Sequence, residues 1–172
     1  MQSMVDYAHS ELSRYLPCAC AVDFTLGQGN DTLFLSQYAD TVYAFDIQQK
    51  AIELSSRRIN SQNVHLVLDS HVHFDRYVES FDVGIFNLGY MPGISHEVTT
   101  VLETTQKAIK KAVECMRQAI VIVVYIGHAA GAQEGQWLEE YCSSLDSHRF
   151  NVSTYRMMNK RQAPYVITIE KR

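Results

Sequence analysis

The sequence predicts an α/β fold built on a seven-stranded, mostly parallel sheet with helices on both faces. Apolar runs of strand length alternate with stretches of helical periodicity along the 172 residues. The apolar run at 18–22 leads into a Gly-x-Gly turn, Gly27 and Gly29, and a helix-like segment follows. A second apolar run ends on the carboxylate of Asp46. This βαβ pattern predicts a nucleoside site at the carboxyl ends of the strands.

The other elements follow from periodicity and from capping signals. The N-terminal helix ends before Pro17, which cannot continue it, and we expect a lid or packing helix. Asn30 is the expected cap of the helix after the glycine turn. Thr100 and Glu103 have the spacing of a capping box at the start of a long helix. The expected helices are 7–16, 31–38, 48–61, 101–116 and 134–145, and the expected strands are 18–22, 41–46, 64–68, 81–86, 119–125, 150–157 and 165–170.

The order and direction of the strands also follow from the spacing. The run at 119–125 is almost wholly apolar, which is typical of a central parallel strand covered on both faces. The last two strands, 150–157 and 165–170, are separated by too few residues for a helical crossover. We therefore expect an antiparallel last strand.

Composition and charge narrow the class of protein. A hydrophobic content of 47% without a low-complexity tract predicts one globular domain over residues 1–172. We find no apolar stretch of membrane-spanning length and no signal-peptide pattern at the N-terminus, so we expect a cytoplasmic protein. The net charge of −4 argues against a protein that grips long duplexes through many phosphates, but it leaves a small RNA target open.

Metal and disulfide chemistry are not expected. Cys18 and Cys20 alternate with alanines on one face of a strand, and no Cys-x-x-Cys pair occurs, so packing in a reducing compartment is the better interpretation. His71 and His73 could begin a metal site, but a convincing set of further ligands is missing, and local hydrogen bonding is favoured.

The charges around the glycine turn favour one cofactor over another. A dinucleotide would prefer a third glycine where Thr32 stands, and Asp31 would repel its phosphates at the helix N-terminus. S-adenosylmethionine (SAM) has no phosphate and carries an ammonium and a sulfonium, which Asp23 and Asp31 would attract. Asp46 is placed to accept the ribose hydroxyls of either ligand. Electrostatics therefore favour SAM, although a Gly-x-Gly turn also occurs in ordinary β-to-α connections.

Several stretches together resemble one family, the YtqB/MnmM-like SAM-dependent methyltransferases, long labelled rRNA methylases. The resemblance spans nearly the whole chain and departs from the family pattern at Phe24, Gln28 and Ala130. The matching stretches are 23–32 (DFTLGQGNDT), 45–48 (FDIQ), 69–71 (DSH), 86–93 (FNLGYMPG), 103–105 (ETT) and 125–128 (YIGH).

This resemblance implies a Rossmann-like class I methyltransferase fold and an activity. The expected reaction methylates the primary amine of 5-aminomethyl-2-thiouridine at the wobble position of tRNA, giving the 5-methylaminomethyl form. The expected partners are the anticodon region of tRNA and a second copy of the chain. The candidate SAM-binding residues are Asp23, Thr25, Gly27, Gly29, Asn30, Asp31, Asp46, Gln48, Asp69, Ser70, His71 and Asn87.

Four residues are candidates for the chemistry. Asn87 follows the fourth strand, where its side-chain oxygen could accept a hydrogen bond from the target amine and aim its lone pair. Tyr90 could stack on the extruded base. His128 and Tyr125, after the fifth strand, could take the proton of the amine. The alternatives are a turn former for Asn87 and a packed aromatic for Tyr90.

Some alternatives remain open at this point. A turn without ligand contact is as good an interpretation of Asp69, Ser70 and His71 as a contact with the adenine edge. An rRNA or a small-molecule amine could replace tRNA as the substrate. A dehydrogenase or a non-catalytic nucleotide-binding module is the more distant rival. No cysteine follows the fourth strand, which disfavours methylation of a pyrimidine C5 through a thiolate.

Overall fold

The computed structural model describes residues 2–89 and 102–172, and a seven-stranded sheet runs through them. Tyr90 and the expected capping box at Thr100 lie outside the described residues. The strands are β1 Cys18–Asp23, β2 Ala39–Asp46, β3 Val64–Leu68, β4 Phe81–Leu88, β5 Met116–Val124, β6 Phe150–Tyr155 and β7 Tyr165–Lys171. The helices are α1 Met4–Leu12, α2 Asn30–Ser36, α3 Gln49–Arg58, α4 Leu102–Cys115 and α5 Ala129–Ser144, with short 3₁₀ helices at Ser13–Tyr15 and His71–Arg76.

The strand order is β3-β2-β1-β4-β5-β7-β6, and the first five strands in this order are parallel. β7 is antiparallel to β5 and also to β6. The sequence order reverses between β1 and β4, so a crevice opens beyond their carboxyl ends. The predicted seven-stranded sheet and its antiparallel last strand are confirmed.

Alternating side chains divide the core between the two faces of the sheet. On one face Phe86 and Ile122 pack with α4, α5 and the 3₁₀ helix at 71–76. On the other face Val83 and Val121 pack with α1 and α2, and α3 covers the same face near Ala44. Every residue from Ala119 to Val124 in β5 is buried, as its apolar run predicts. Within residues 2–89 and 102–172 no helix combines the length and apolarity that crossing a bilayer requires.

The starts of α1, α2 and α5 differ from the prediction because of local caps. α1 begins at Met4 because Ser3 and Asp6 form a reciprocal capping box, in which the Ser3 hydroxyl accepts from the Asp6 N–H at 3.1 Å. α2 is capped by Gly29, with φ of 83°, so the prediction that Asn30 is the cap is wrong. α5 begins one and a half turns early because His128 caps it through its ring.

Candidate active site

The glycine turn after β1 is held by backbone conformation and by tight packing. Gly27 and Gly29 have φ of 53° and 83°, the left-handed region that side chains disfavour. A Cβ on Gly29 would also lie 2.9 Å from Cδ1 of Ile59, at the end of α3. The N–H of Gly29 closes the turn by donating to the carbonyl of Leu26 at 2.8 Å. The sequence needs glycine at position 29 for both reasons.

Asp46, at the end of β2, ties the glycine turn to the next loop. Its two carboxylate oxygens accept from the Gly27 N–H at 3.1 Å and from the Gln48 N–H at 2.9 Å. Burial raises the pKa of Asp46, and these N–H donors oppose the rise. Each oxygen keeps a further lone pair, so the carboxylate can still accept ribose hydroxyls. Asp46 therefore lies where the sequence predicted a ribose contact, with its orientation already fixed.

Asp23 ends β1 as a fully buried carboxyl with two donors. The Thr25 N–H donates to one oxygen at 3.0 Å, and the Thr32 hydroxyl donates to the other at 2.6 Å. Burial raises the pKa of Asp23, and the negative charge of Asp31 raises it further. Two carboxyl groups that repel one another create a site where a cation is favoured.

Asp31, in the first turn of α2, joins the N-terminal helix to the end of β4. One of its oxygens lies 2.6 Å from Nε2 of His9, and the other accepts from the side-chain amide of Asn87 at 3.2 Å. The His9 ring is held in place by stacking on Phe34, with ring centroids 4.1 Å apart. A His–Asp–Asn chain of contacts therefore runs from α1 to the crevice.

The orientation of the Asn87 side chain follows from its partners. A carboxylate can only accept, so the amide nitrogen must face Asp31. The Tyr125 side chain interacts with the same amide. Burial and the charge of Asp31 raise the pKa of Tyr125, while its hydrogen bond with Asn87 lowers it. The Asn87 side-chain oxygen is the acceptor end of this amide and is turned away from Asp31.

The backbone of Asn87 is fixed as firmly as its side chain. Asn87 lies within β4, one residue before its end, and its N–H donates to the Thr25 hydroxyl at 2.7 Å. Thr25, a predicted cofactor residue, thus joins the ends of β1 and β4. The alternative interpretation of Asn87 as a turn former does not fit its position in the strand.

The tripeptide Asp69-Ser70-His71 lies beside Asp46, and its side chains brace local structure. The backbone N–H of Asp69 donates to the Asp46 carbonyl at 3.1 Å. The Asp69 carboxylate accepts from His73 at 2.8 Å and Tyr77 at 2.9 Å, and the His73 hydrogen bond is the main cause of its lowered pKa. Ser70 caps the 3₁₀ helix that begins at His71.

The imidazole ring of His71 is buried beside the glycine turn, in surroundings that favour its uncharged form. Its Nδ1 lies 3.0 Å from the Phe24 carbonyl, which can only accept, so Nδ1 carries the proton. Burial lowers the pKa of His71. Nε2 is consequently an acceptor in the folded protein.

Some predicted residues have other local partners. Nδ1 of His128 accepts the Gly131 N–H at 3.0 Å as the cap of α5, so in this arrangement that lone pair is not free to take a proton. The Asn30 side chain accepts from Arg58 at 2.9 Å on the outer side of the turn. Gln48 caps α3 through its backbone, without a side-chain hydrogen bond.

The sequence interpretation missed His9, Thr32 and Arg58 as parts of the site. His9 and Thr32 hold the two acidic side chains, and Arg58 donates to the Gln28 carbonyl at 2.5 Å. The one available signal was the position of His9 on the apolar side of a helix, next to the buried Ala8. Nothing in the local pattern pairs His9 with a residue 22 positions away.

The three carboxylates around the glycine turn suit SAM better than a phosphate-bearing cofactor. Asp23, Asp31 and Asp46 surround the turn, and the first two are buried. Their charge complements an ammonium and a sulfonium and opposes a pyrophosphate. Within the described residues no group of three His, Cys, Asp or Glu side chains is arranged to hold a metal ion.

Comparison with known proteins identifies the family. Residues 42–171 match the model of the family described as "Putative rRNA methylase". One solved structure is of a Streptococcus mutans protein described as a putative methyltransferase, in complex with S-adenosylhomocysteine (SAH). It is 36% identical to this chain, with a TM-score of 0.92, and the match covers 100% of this chain and 99% of that one. A putative rRNA methylase of Clostridium thermocellum is 30% identical, with a TM-score of 0.94 and the same coverage.

A curated relative adds a more specific description. The chloroplastic tRNA (mnm⁵s²U34)-methyltransferase of Arabidopsis thaliana is 32% identical over an alignment of 171 positions, and the match covers 88% of this chain. The chain spans 62% of the length of that relative. The predicted fold class and family resemblance are confirmed. The chain therefore belongs to the rRNA methylase family of class I, SAM-dependent methyltransferases.

Proposed function

We propose that this chain methylates the primary amine of 5-aminomethyl-2-thiouridine at the wobble position of tRNA, using SAM. The observation that carries the proposal is the fixed Asn87 side chain, whose amide nitrogen faces Asp31 and whose oxygen can accept from a substrate donor. A primary amine is such a donor. The Asn87 oxygen lies beside the acidic pair, Asp23 and Asp31. This arrangement suits a substrate amine that carries a positive charge before it reacts.

The side chains around the turn would hold the cofactor. Asp46 accepts the ribose hydroxyls, and Asp23 and Asp31 favour the positively charged groups. Bound SAM supplies an electrophilic methyl group. The protein's task is then to place a neutral amine in line with it and to exclude competing nucleophiles.

The amine must lose a proton before it attacks, and the contacts favour Asp31 and His9 for this step. Asp31 contacts the side chain that binds the amine, and its other oxygen contacts His9. The His9 side chain is 20% exposed, so a proton passed along this pair can reach solvent. This assignment replaces His128, which is engaged as a helix cap.

The identity of the substrate rests on the Arabidopsis relative, whose name specifies the wobble uridine, U34, of tRNA. The anticodon region of tRNA and a second copy of the chain as partners belong to the same proposal. The alternative substrate, rRNA, has the description of the family model in its favour. A small-molecule amine would also suit Asn87 and Asp31, because these residues would contact only the amine of the substrate.

Transfer of label separates these substrates. Purified protein is incubated with methyl-labelled SAM and, in parallel, with total tRNA, with rRNA and with a metabolite extract. We expect label in tRNA. The most label should enter tRNA from a strain whose tRNA retains the 5-aminomethyl group. Label confined to rRNA or to the metabolite pool would overturn the proposal and leave the methyltransferase assignment in place.

A further inference from the structure

A second concave surface lies at the same edge of the sheet as Asn87, between the start of α1 and the β6–β7 hairpin. The register pairs Val124 with Tyr165 and Tyr155 with Val166. The connection between β6 and β7, residues 156–164, is therefore brought to the carboxyl end of β5. The hairpin is part of the active-site edge although it comes last in the chain.

A cavity of about 350 Å³ separates this hairpin from α1. Met4 and Val5 line it on the α1 side, Met157, Ala163 and Pro164 line it on the hairpin side, and Tyr125 lies between them. This volume is near the lower end of the roughly 300–1,000 Å³ range of small-ligand sites. Its mostly apolar walls and limited size suit one flat, uncharged ring system.

Tyr125 connects the cavity to the reacting centre. It lines the cavity, and its side chain also interacts with Asn87. Its ring lies against the backbone of Gly89, where a Cβ would approach Cδ2 of the ring to 3.1 Å. A substrate whose amine is held at Asn87 can therefore extend past Tyr125 into the cavity.

The charge changes sign from one side of this edge to the other. Asp23, Asp31 and Asp46 make the cofactor side acidic, while Lys160 and Arg161 are exposed on the hairpin beside the fully exposed Met158. Within the described residues neither Lys160 nor Arg161 has an acidic partner at ion-pair distance. Arg156, by contrast, pairs with Glu139 and lies over the ring of Tyr165.

We propose that this cavity receives the target base of an RNA loop and that Lys160 and Arg161 contact the phosphates on either side of that base. A nucleotide with an aminomethyl group combines a cationic tip, a flat ring and an anionic backbone. These three parts match, in order, the acidic pair with Asn87, the apolar cavity, and the basic hairpin. The inference rests on the proposed function, because it takes the substrate to be RNA.

The chain contains its own matched control for the phosphate contacts. Lys160-Arg161 lies in the connection before β7, and the identical dipeptide Lys171-Arg172 lies at the end of β7. The double variants K160A/R161A and K171A/R172A therefore remove the same charge and the same side chains. Thermal unfolding first establishes that both variants fold.

The measurement is the affinity of each variant for a synthetic anticodon stem-loop RNA that carries 5-aminomethyl-2-thiouridine, at several salt concentrations. We expect K160A/R161A to weaken binding about tenfold. The salt slope, which is the slope of log affinity against log salt concentration, should become shallower by about 1.4, the value for two phosphate contacts at about 0.7 each. K171A/R172A keeps the affinity and the slope, and both variants keep the affinity of the unsubstituted protein for SAH. Equal RNA affinity of the two variants would overturn the inference.

A cavity-filling variant tests the base site separately. Ala163 is half-buried in the wall of the cavity, and Ala163→Phe should weaken binding of the same RNA without changing the salt slope. Unchanged RNA binding by a folded Ala163→Phe protein would contradict the placement of the base. Failure of the unsubstituted chain to methylate any tRNA would instead contradict the proposed function, so the two failures are distinguishable.

Discussion

The side-chain amide of Asn87 donates to the carboxylate of Asp31 at 3.2 Å, across 56 positions of the chain. This hydrogen bond fixes which end of the Asn87 amide faces the crevice. It also brings the proposed acceptor of the substrate amine next to the Asp31 carboxylate, whose other oxygen lies 2.6 Å from Nε2 of His9. The proposed chemistry depends on this arrangement more than on any single side chain.

Replacing Asn87 should damage turnover and leave cofactor binding nearly intact. Asn87→Ala removes the oxygen that aligns the amine, and we expect kcat to fall by about 10²–10³, the range for losing one positioned polar group in an active site. The affinity for SAM, measured by calorimetry, should change little. A variant with normal turnover would show that Asn87 does not position the substrate.

Replacing His9 tests whether it acts through Asp31. His9→Ala leaves the Asp31 oxygen without its partner, and we expect kcat to fall by about 10²-fold, the lower end of the range for positioned acid–base groups. KM for tRNA should stay the same. His148→Ala is the control, because His148 is exposed beyond α5. An unchanged kcat in His9→Ala would limit His9 to a packing role.

The glycine turn offers a prediction with an internal control. Gly29→Ala would place a Cβ at φ of 83° and 2.9 Å from Ile59, so we expect a loss of about 1–2 kcal/mol in the free energy of unfolding and weaker SAM binding. Gly127→Ala should have little effect, because a Cβ there meets nothing within 4 Å. Denaturant unfolding of both variants makes the comparison. Equal stability of the two variants would contradict the packing account of Gly29.

Glu134 gives a prediction for the dependence of stability on pH. Burial in α5 raises the pKa of Glu134 to about 7, and the nearby Thr105 hydroxyl opposes the rise. The folded state therefore binds a proton that the unfolded state releases near pH 4.5, so stability is lost as pH rises from about 4.5 to about 7. Among the described residues no group donates to Oε1 of Glu134.

The variant Glu134→Gln removes this titration. We expect it to be more stable than the unsubstituted protein at pH 8, by at most about 3 kcal/mol, and closer to it at pH 5. Glu140→Gln, at an exposed position of the same helix, is the control. Parallel pH–stability curves for the Glu134→Gln and unsubstituted proteins would show that Glu134 does not titrate in this range.

The elements of the fold that depend on local pattern were predictable from sequence. Asp46 and Gly27 lie where the βαβ pattern placed them, and β3 has the predicted bounds. The start of α5 was missed because its first turn, from Ala129, contains Gly131 and resembles a loop. A Cβ at Gly131 would lie 1.9 Å from the Tyr125 carbonyl oxygen, so tertiary packing explains this glycine within a helix.

The part of the site that depends on distant contacts was not predictable in the same way. His9 meets Asp31 only because α1 packs across the sheet beside α2. His128 has the residue type of a proton acceptor, but its ring serves as a helix cap through a neighbour three positions on. In both cases the side chain's role is set by its hydrogen-bond partner, which residue type and spacing do not specify.

Mass spectrometry of tRNA nucleosides after reaction with SAM tests the central claim most directly. The substrate is tRNA rich in 5-aminomethyl-2-thiouridine, with Asn87→Ala as the inactive control. We predict loss of that nucleoside and a matching gain of the 5-methylaminomethyl form, with the unsubstituted protein only. No gain of the methylated nucleoside with folded, SAM-binding protein would contradict the claim.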